Sequence, residues 1–393
     1  MVNEITRAEA GKERLAGFDI LRGVVTLAVF TLHCFLSIPQ NIWFQTEGVT
    51  WRIVYVGNCL LECFFAMSGF LIGGALLEYK EFTRSAVYNY AVDRATRILP
   101  AYYAIFVFLT LVYFLFFDSH KILYAYIVFL QCYTSDLYFI GVAWTLSIEV
   151  FSYALLPVVI YLFRFKIKIF KNEYINVIFV SILLILAETA ARYLVVLYLP
   201  GTPMDDGIRK QLHLRLDALF YGLIVACLKK ICEDWYARLA SWKVCCVALV
   251  GMLCMAEWQY GDFFIRNMPG ERHREWHALV DYTVSGVLAA AVLPFCSKIR
   301  MGDIRSVLVR HVCDFLVHVA RISYSFYLVH LLLLNAVCRF YAETAFESRL
   351  ANHAYYCFLM IAYCLACFFL SEKMFNLVEK PGMALRKKLK IVC

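Results

Sequence analysis

The chain has 393 residues, of which 62% are hydrophobic and only 17% charged, and its mean hydropathy is +0.68. Soluble domains carry about a quarter charged residues and roughly half apolar ones, which excludes an ordinary soluble fold. The net charge of +8 is spread over separate loops rather than gathered in one stripe, so no nucleic-acid partner is expected.

Apolar runs of about 20 residues, enough to cross roughly 30 Å of hydrocarbon, recur from end to end. In chain order they predict ten spans, at 18–38, 53–77, 98–117, 144–163, 174–200, 213–231, 243–260, 277–296, 315–340 and 354–378. The expected fold is therefore all-α, a polytopic integral membrane helical bundle seated in a lipid bilayer. A polar segment 1–17, with no cleaved signal expected, precedes a membrane domain over 18–380, and a basic tail occupies 381–393. Segment 121–131 is apolar but too short to cross, and predicts an interfacial or re-entrant helix.

Basic residues alternate between the two sets of loops. One set carries clusters such as Lys80, Arg84, Arg94 and Arg97, or Arg164, Lys166, Lys168 and Lys171, and ends with Arg386, Lys387 and Lys388. The opposite set is sparser by roughly three to one, which puts both termini on the cytoplasmic side. Most of the 16 cysteines lie inside apolar runs, where they act as small hydrophobes, and none shows zinc-ligand spacing with histidine. No metal and no bound cofactor are expected.

Ionisable residues at membrane depth are costly and point to chemistry. The first span holds Asp19, Arg22 and His33. Arg22 and His33 are about 16 Å apart along a helix and about 20° from sharing one face. A cation at the mouth and an imidazole deeper on that face suit an anionic donor and a proton transfer. A snorkelling arginine and a histidine bonded to a neighbouring helix would also satisfy these positions.

The fourth span opens Trp144-Thr-Leu-Ser147-Ile-Glu149. Its carboxylate would orient His33, hold an acceptor hydroxyl, or bond to a hydroxyl of another helix. Span six begins with His213, Arg215 and Asp217, an internal ion pair or the lining of an acceptor cleft. Glu188 and Arg192 at i,i+4 suit a structural pair. Arg94 and Arg97, just before Ile98-Leu99-Pro100 and the start of the third span, form a compact anion site or ordinary positive-inside charge. The small residues of Met67-Ser68-Gly69-Phe70 favour close helix packing and are assigned no chemistry.

These fragments, in order, resemble acyltransferase family 3, membrane proteins that include bacterial O-antigen and exopolysaccharide acetylases. GFDILRG is similar to that family's opening LDGLRG, with Arg22 and His33 at its Arg-to-His spacing; FFAMSGFLI resembles FFVLSGFLI. Arg94-x-x-Arg97-Ile-Leu-Pro resembles RxxRILP, the Glu149 segment WSLSxE, and HLRLDALFYG at 213–222 RLDAFLLG. SYSFYLVH, ending at His330, resembles SYSLYLWH, and Glu379-Lys380-Pro381 resembles a terminal EKP.

The resemblance spans about 15–385 and implies transfer of an acyl group, usually acetyl from acyl-CoA, to a hydroxyl of a carbohydrate or lipid-linked glycan. It makes His33 the general base or an acyl relay, and Arg22, Arg94 and Arg97 the donor site. It gives Glu149 the task of orienting His33 or the acceptor, with Arg215, Asp217 and His330 as further substrate contacts. The implied location is a bacterial inner or plasma membrane. Val150 stands where the family has a second polar or acidic residue, and Asp19-Ile20 replace its Gly-Leu. The outer stretch 261–276 is a candidate acceptor contact or a solvated loop. A glycan transporter also suits ten spans with buried charges, but no internal repeat is present. Reporter fusions after residues 12 and 390 are expected to report both ends as cytoplasmic; an external signal at either end would break the assigned topology.

Overall fold

The computed structural model describes residues 16–39, 47–116, 124–134, 139–265, 274–343, 346 and 348–391. Within them the chain forms helices and turns only, with no strand. The long helices are α1 (Ala16–Leu36), α2 (Glu47–Leu77) and α3 (Arg84–Phe116), then, after a short α4 (Tyr124–Ile127), α5 (Trp144–Tyr161) and α6 (Glu173–Tyr198). Shorter helices α7 (Phe220–Ile231) and α8 (Glu233–Leu239) lead to α9 (Trp242–Ile265), α10 (Arg274–Cys296), α11 (Val307–Glu343) and α12 (Arg349–Met374). Two single turns, α13 (Lys380–Ala384) and α14 (Arg386–Leu389), end the described chain.

Several helices begin well before their apolar runs, because caps rather than hydropathy decide where a helix starts. Thr83 caps α3 by accepting from the Ala86 amide at 3.2 Å, 15 residues ahead of the predicted span. Arg94 and Arg97 therefore lie inside α3, not at its N-terminus as expected. Pro100 sits in the helix interior. Ser306 does the same for α11, its hydroxyl 3.5 Å from the Val309 amide. Asn172 caps α6 through the amides of Tyr174 and Ile175.

Nine helices among the described residues are long and apolar enough to cross a membrane. The predicted sixth span differs. It consists of tight 3-10 turns at Leu212–Leu214 and Leu216–Leu219 followed by the 12-residue α7. This segment nevertheless runs the length of a crossing, in register with α2. Arg209 donates to Asn58 (3.1 Å), Arg215 pairs with Glu62 (2.6 Å), and Lys230 pairs with Glu78. Asn58 on α2 and Glu78, the residue just past its end, are 20 residues apart, or about 30 Å of helix.

Close backbone approach makes that pairing possible. Gly69 faces the Leu219 carbonyl, and Gly222 faces the Ala66 carbonyl and Phe70 amide, so a methyl group at either position would collide with backbone. Irregular backbone is tolerated at membrane depth only when protein surrounds it. Leu214, Arg215, Asp217, Ala218 and Leu219 are all buried. The Leu214 carbonyl accepts from Arg192 at 2.8 Å.

Arg192 also corrects a local expectation. It pairs with Asp217 through both terminal nitrogens at 3.0 Å, not with Glu188 one turn away on α6. Both members of this pair are buried, as are Arg215 and Glu62, and Tyr282 lies under both guanidiniums, at 5.4 and 4.3 Å. Arg215 and Asp217 are thus not one ion pair but belong to two.

The apolar loop near 121–131, where it is described over 124–134, holds the single-turn helix α4 and a 3-10 turn at Gln131–Tyr133. Tyr126, Phe129, Gln131 and Cys132 are buried, while Tyr124, Ile127, Val128 and Tyr133 are exposed. Tyr102 and Tyr103 of α3 donate to the carbonyls of Tyr126 and Ile127 at 2.7 and 2.8 Å, and Gln131 donates to Ala143 at 2.7 Å. The candidate acceptor stretch 261–276 falls largely outside the described residues, as does most of segment 1–17.

Removing one member of a buried pair leaves an uncompensated charge, at a cost of about 3–5 kcal/mol. Arg215→Met is expected to lower the melting temperature in detergent sharply. The double variant Glu62→Leu with Arg215→Met is expected to recover most of the loss. Additive destabilisation in the double variant would show that the pair does not hold the sixth segment to α2.

Candidate functional site

Five helices each present one helical stripe to a shared cavity of about 180 Å³. From α1 come Arg22, Thr26 and Val29, at i, i+4 and i+7; His33, at i+11, is not itself part of the lining and meets the cavity through His330, which is. From α2 come Leu61, Phe64, Phe65, Ser68, Leu71 and Ile72; α3 adds Arg94, Arg97 and Ile98. From α5 come Thr145, Leu146, Glu149 and Tyr153, and from α11 Ser323, Tyr324, Phe326, Tyr327 and His330. The walls are largely apolar and the polar groups few, as in most small-molecule sites.

The polar groups divide by position. Arg22, Arg94 and Arg97 gather at the end of the bundle that carries the basic loops. Arg22 is tied to Asp19 at 3.3 Å, and Arg97 lies 4.0 Å from Glu379. The Arg94 Nε has no hydrogen-bond partner among the described residues. Three guanidiniums with one modest carboxylate contact each, or none recorded, leave N–H groups for an anion.

At the far end the two histidines meet. His33 and His330 have ring centroids 5.1 Å apart, and the His330 Nε2 is 3.3 Å from the His33 Nδ1. His33 Nδ1 is also 2.8 Å from the Val29 carbonyl, and His330 Nδ1 is 2.8 Å from that of Tyr327. A carbonyl can only accept, so both rings carry their proton on Nδ1. The single His33 Nδ1–H is shared between the Val29 carbonyl and, at the longer distance, the His330 Nε2 lone pair, and His33 Nε2 is left as a base. The arrangement has the logic of an oriented imidazole, with His330 standing behind it.

Glu149 does not take that place. Its partners are Ser68, whose hydroxyl donates at 3.4 Å, and the Tyr153 hydroxyl bonded to the same Ser68 (3.4 Å). The charges of Arg97 and Arg22 act on Glu149, which sets it beside the arginine cluster. Thr145 and Tyr327 share a hydrogen bond (2.5 Å). Tyr324 donates to the Ile98 carbonyl at 2.9 Å, locking α11 to α3 beside the arginines.

Arg215 and Asp217, predicted to contact substrate, do not line the cavity; burial in their own ion pairs takes them out of it. His213 is also absent from the lining and stacks on Tyr133, its Nδ1 2.9 Å from the tyrosine hydroxyl. Nearby, Arg209 lies over the Trp144 ring at 4.9 Å. Burial alone would raise the Asp205 carboxyl, but Arg209 and Lys210 outweigh it and hold it below the usual carboxylate range.

Ser68, Thr145, Tyr324 and Tyr327 were not singled out by sequence reasoning. The signal available for Ser68 was a hydroxyl among small residues on an otherwise apolar helix, which close packing also explains.

No curated protein and no solved structure matches the chain. The acyltransferase-domain model of acyltransferase family 3 matches residues 15–372 of 393, which takes in every helix that lines the cavity. With this match over nearly its whole length, the chain is a multi-pass membrane protein that belongs to acyltransferase family 3.

Proposed function

We propose that the protein transfers an acyl group, acetyl in the first instance, from acyl-CoA to a hydroxyl of a carbohydrate or glycoconjugate acceptor, in a bacterial inner membrane. The observation that carries this reading is the cavity with an arginine cluster at one end and a paired histidine at the other. The phosphates of coenzyme A suit guanidinium forks, which favour Arg22, Arg94 and Arg97 as the donor site. About 16 Å of helix separates Arg22 from His33, a span that an extended pantetheine arm bridges. The apolar walls between them suit that arm and a short acyl chain.

In the proposed mechanism His33 Nε2 removes the proton of the acceptor hydroxyl as its oxygen attacks the thioester carbonyl. The resulting imidazolium is stabilised by its Nδ1–H, directed at His330 Nε2 and the Val29 carbonyl. Collapse of the tetrahedral adduct breaks the C–S bond, and the proton returns from His33 to the departing thiolate. Glu149, with Ser68 and Tyr153, lines the cavity beside the arginines, where it positions either substrate.

Membranes holding the wild-type protein are expected to transfer label from acetyl-CoA to total membrane glycan. His33→Ala, at equal expression, is expected to lower transfer by about 10²-fold or more, the scale of a lost general base. His330→Ala is expected to give a smaller loss, with donor affinity unchanged. Undiminished transfer by His33→Ala would remove it from the mechanism. Absence of transfer by the wild type would point to a different donor or acceptor.

A further inference from the structure

Between α12 and α13 the chain makes a wide π-turn over Phe375–Glu379, which carries Glu379 inward to 1% exposure. A carboxylate in such a place needs partners. Its Oε2 accepts from the Ser325 hydroxyl at 2.7 Å. Its Oε1 has no hydrogen-bond partner among the described residues and faces the Arg97 Nη1 at 4.0 Å. The same Arg97 nitrogen donates to the Met383 sulfur at 3.4 Å, so the guanidinium is held from two sides by the C-terminal segment.

That segment is itself fastened to α3 on the stretch bearing the arginines. Gly382 packs on the Pro100 ring, beside the Thr96 carbonyl that the proline cannot engage for want of an N–H. Lys390 pairs with Asp93 at 2.7 Å. The Asn89 side chain exchanges two hydrogen bonds of 2.9 Å with the Ile391 backbone. These fastenings fall between residues 89 and 100, on either side of Arg94 and Arg97.

We propose that Glu379 is a positioning residue for Arg97, and that the docked segment 375–391 forms part of the donor site; this rests on the donor assignment made above. With Met383 bonded to Nη1 and the Glu379 charge 4.0 Å from the same nitrogen, the Arg97 guanidinium is drawn toward the C-terminal segment on one side and presents its other edge to an incoming phosphate. Glu379 acts through Arg97 and does not itself touch the donor.

The test uses the full chain in lipid nanodiscs, with coenzyme A as the binding probe and acetyl-CoA turnover as the second readout. Glu379→Gln keeps the size of the side chain and an oxygen for Ser325 but removes the charge. Plain electrostatics predicts tighter binding, because a negative charge leaves an anion site. Lost positioning predicts the opposite: coenzyme A affinity weaker by about tenfold, donor KM raised equally, kcat within about twofold. In an Arg97→Ala background the same change is expected to have no further effect.

Unchanged or tighter binding, or an equal loss in the Arg97→Ala background, would overturn the proposal. If Glu379→Gln does not fold, Glu379→Asp keeps the charge, draws it back by one methylene, and is judged by the same two quantities. A wild-type protein that binds pyrophosphate but neither binds coenzyme A nor transfers acetyl would overturn the donor assignment alone, and pyrophosphate affinity then decides the role of Glu379. A wild type that binds neither probe overturns both.

Discussion

Hydrocarbon offers no hydrogen bonds, so every backbone amide and carbonyl at membrane depth has to be satisfied from within the protein. Regular helices meet that demand alone. The segment from Arg209 to Phe220 does not, and the bundle is arranged around making it possible. Gly69 and Gly222 let its backbone lie directly against α2, and Arg192 reaches from α6 to a carbonyl its own turns leave open. The most enclosed of the long spans is Arg52–Leu77 within α2, 61% of its apolar window buried, because it carries this segment on one side and the cavity on another.

The charged residues of the interior fall into two groups according to how closely an opposite charge approaches them. Arg192, Asp217, Arg215 and Glu62 are fully enclosed, bonded to each other at 2.6–3.0 Å, and supported by Tyr282 beneath both guanidiniums. Such pairs are close to neutral as sources of stability, yet they fix which segments meet. Arg22, Arg94 and Arg97 are only partly enclosed, and the carboxylates that face Arg22 and Arg97 lie 3.3 and 4.0 Å away. In a cavity with apolar walls, that incomplete pairing leaves them able to take an anionic guest. Glu149 lines the same cavity beside them, bonded to neutral hydroxyls. The cavity thus separates a cationic region from a basic one along a single path.

Composition and hydropathy were enough to establish a helical membrane bundle, since apolar runs of crossing length have no other stable use. Helical periodicity alone put Arg22 and His33 on nearly one stripe of α1; Arg22 lines the cavity, and His33 touches it through His330. Sequence reasoning failed where two partners of equal chemical merit compete for one group. Arg192 has an acid one turn away and another on the sixth segment, and it takes the distant one because Asp217 is buried beside it. Of the partners open to Glu149, the structure supplies a hydroxyl of another helix, that of Ser68 on α2.

The sequence by itself determined the fold class, the order of the spans and the faces of individual helices, because lipid immersion and the 3.6-residue repeat act locally. Only the tertiary structure decided that His330 stands behind His33, that Arg215 and Asp217 are spent on holding the sixth segment, and that Glu379 returns to Arg97. Each of those contacts joins residues on different helices, and the packing of one helix against another is set by the shapes of both.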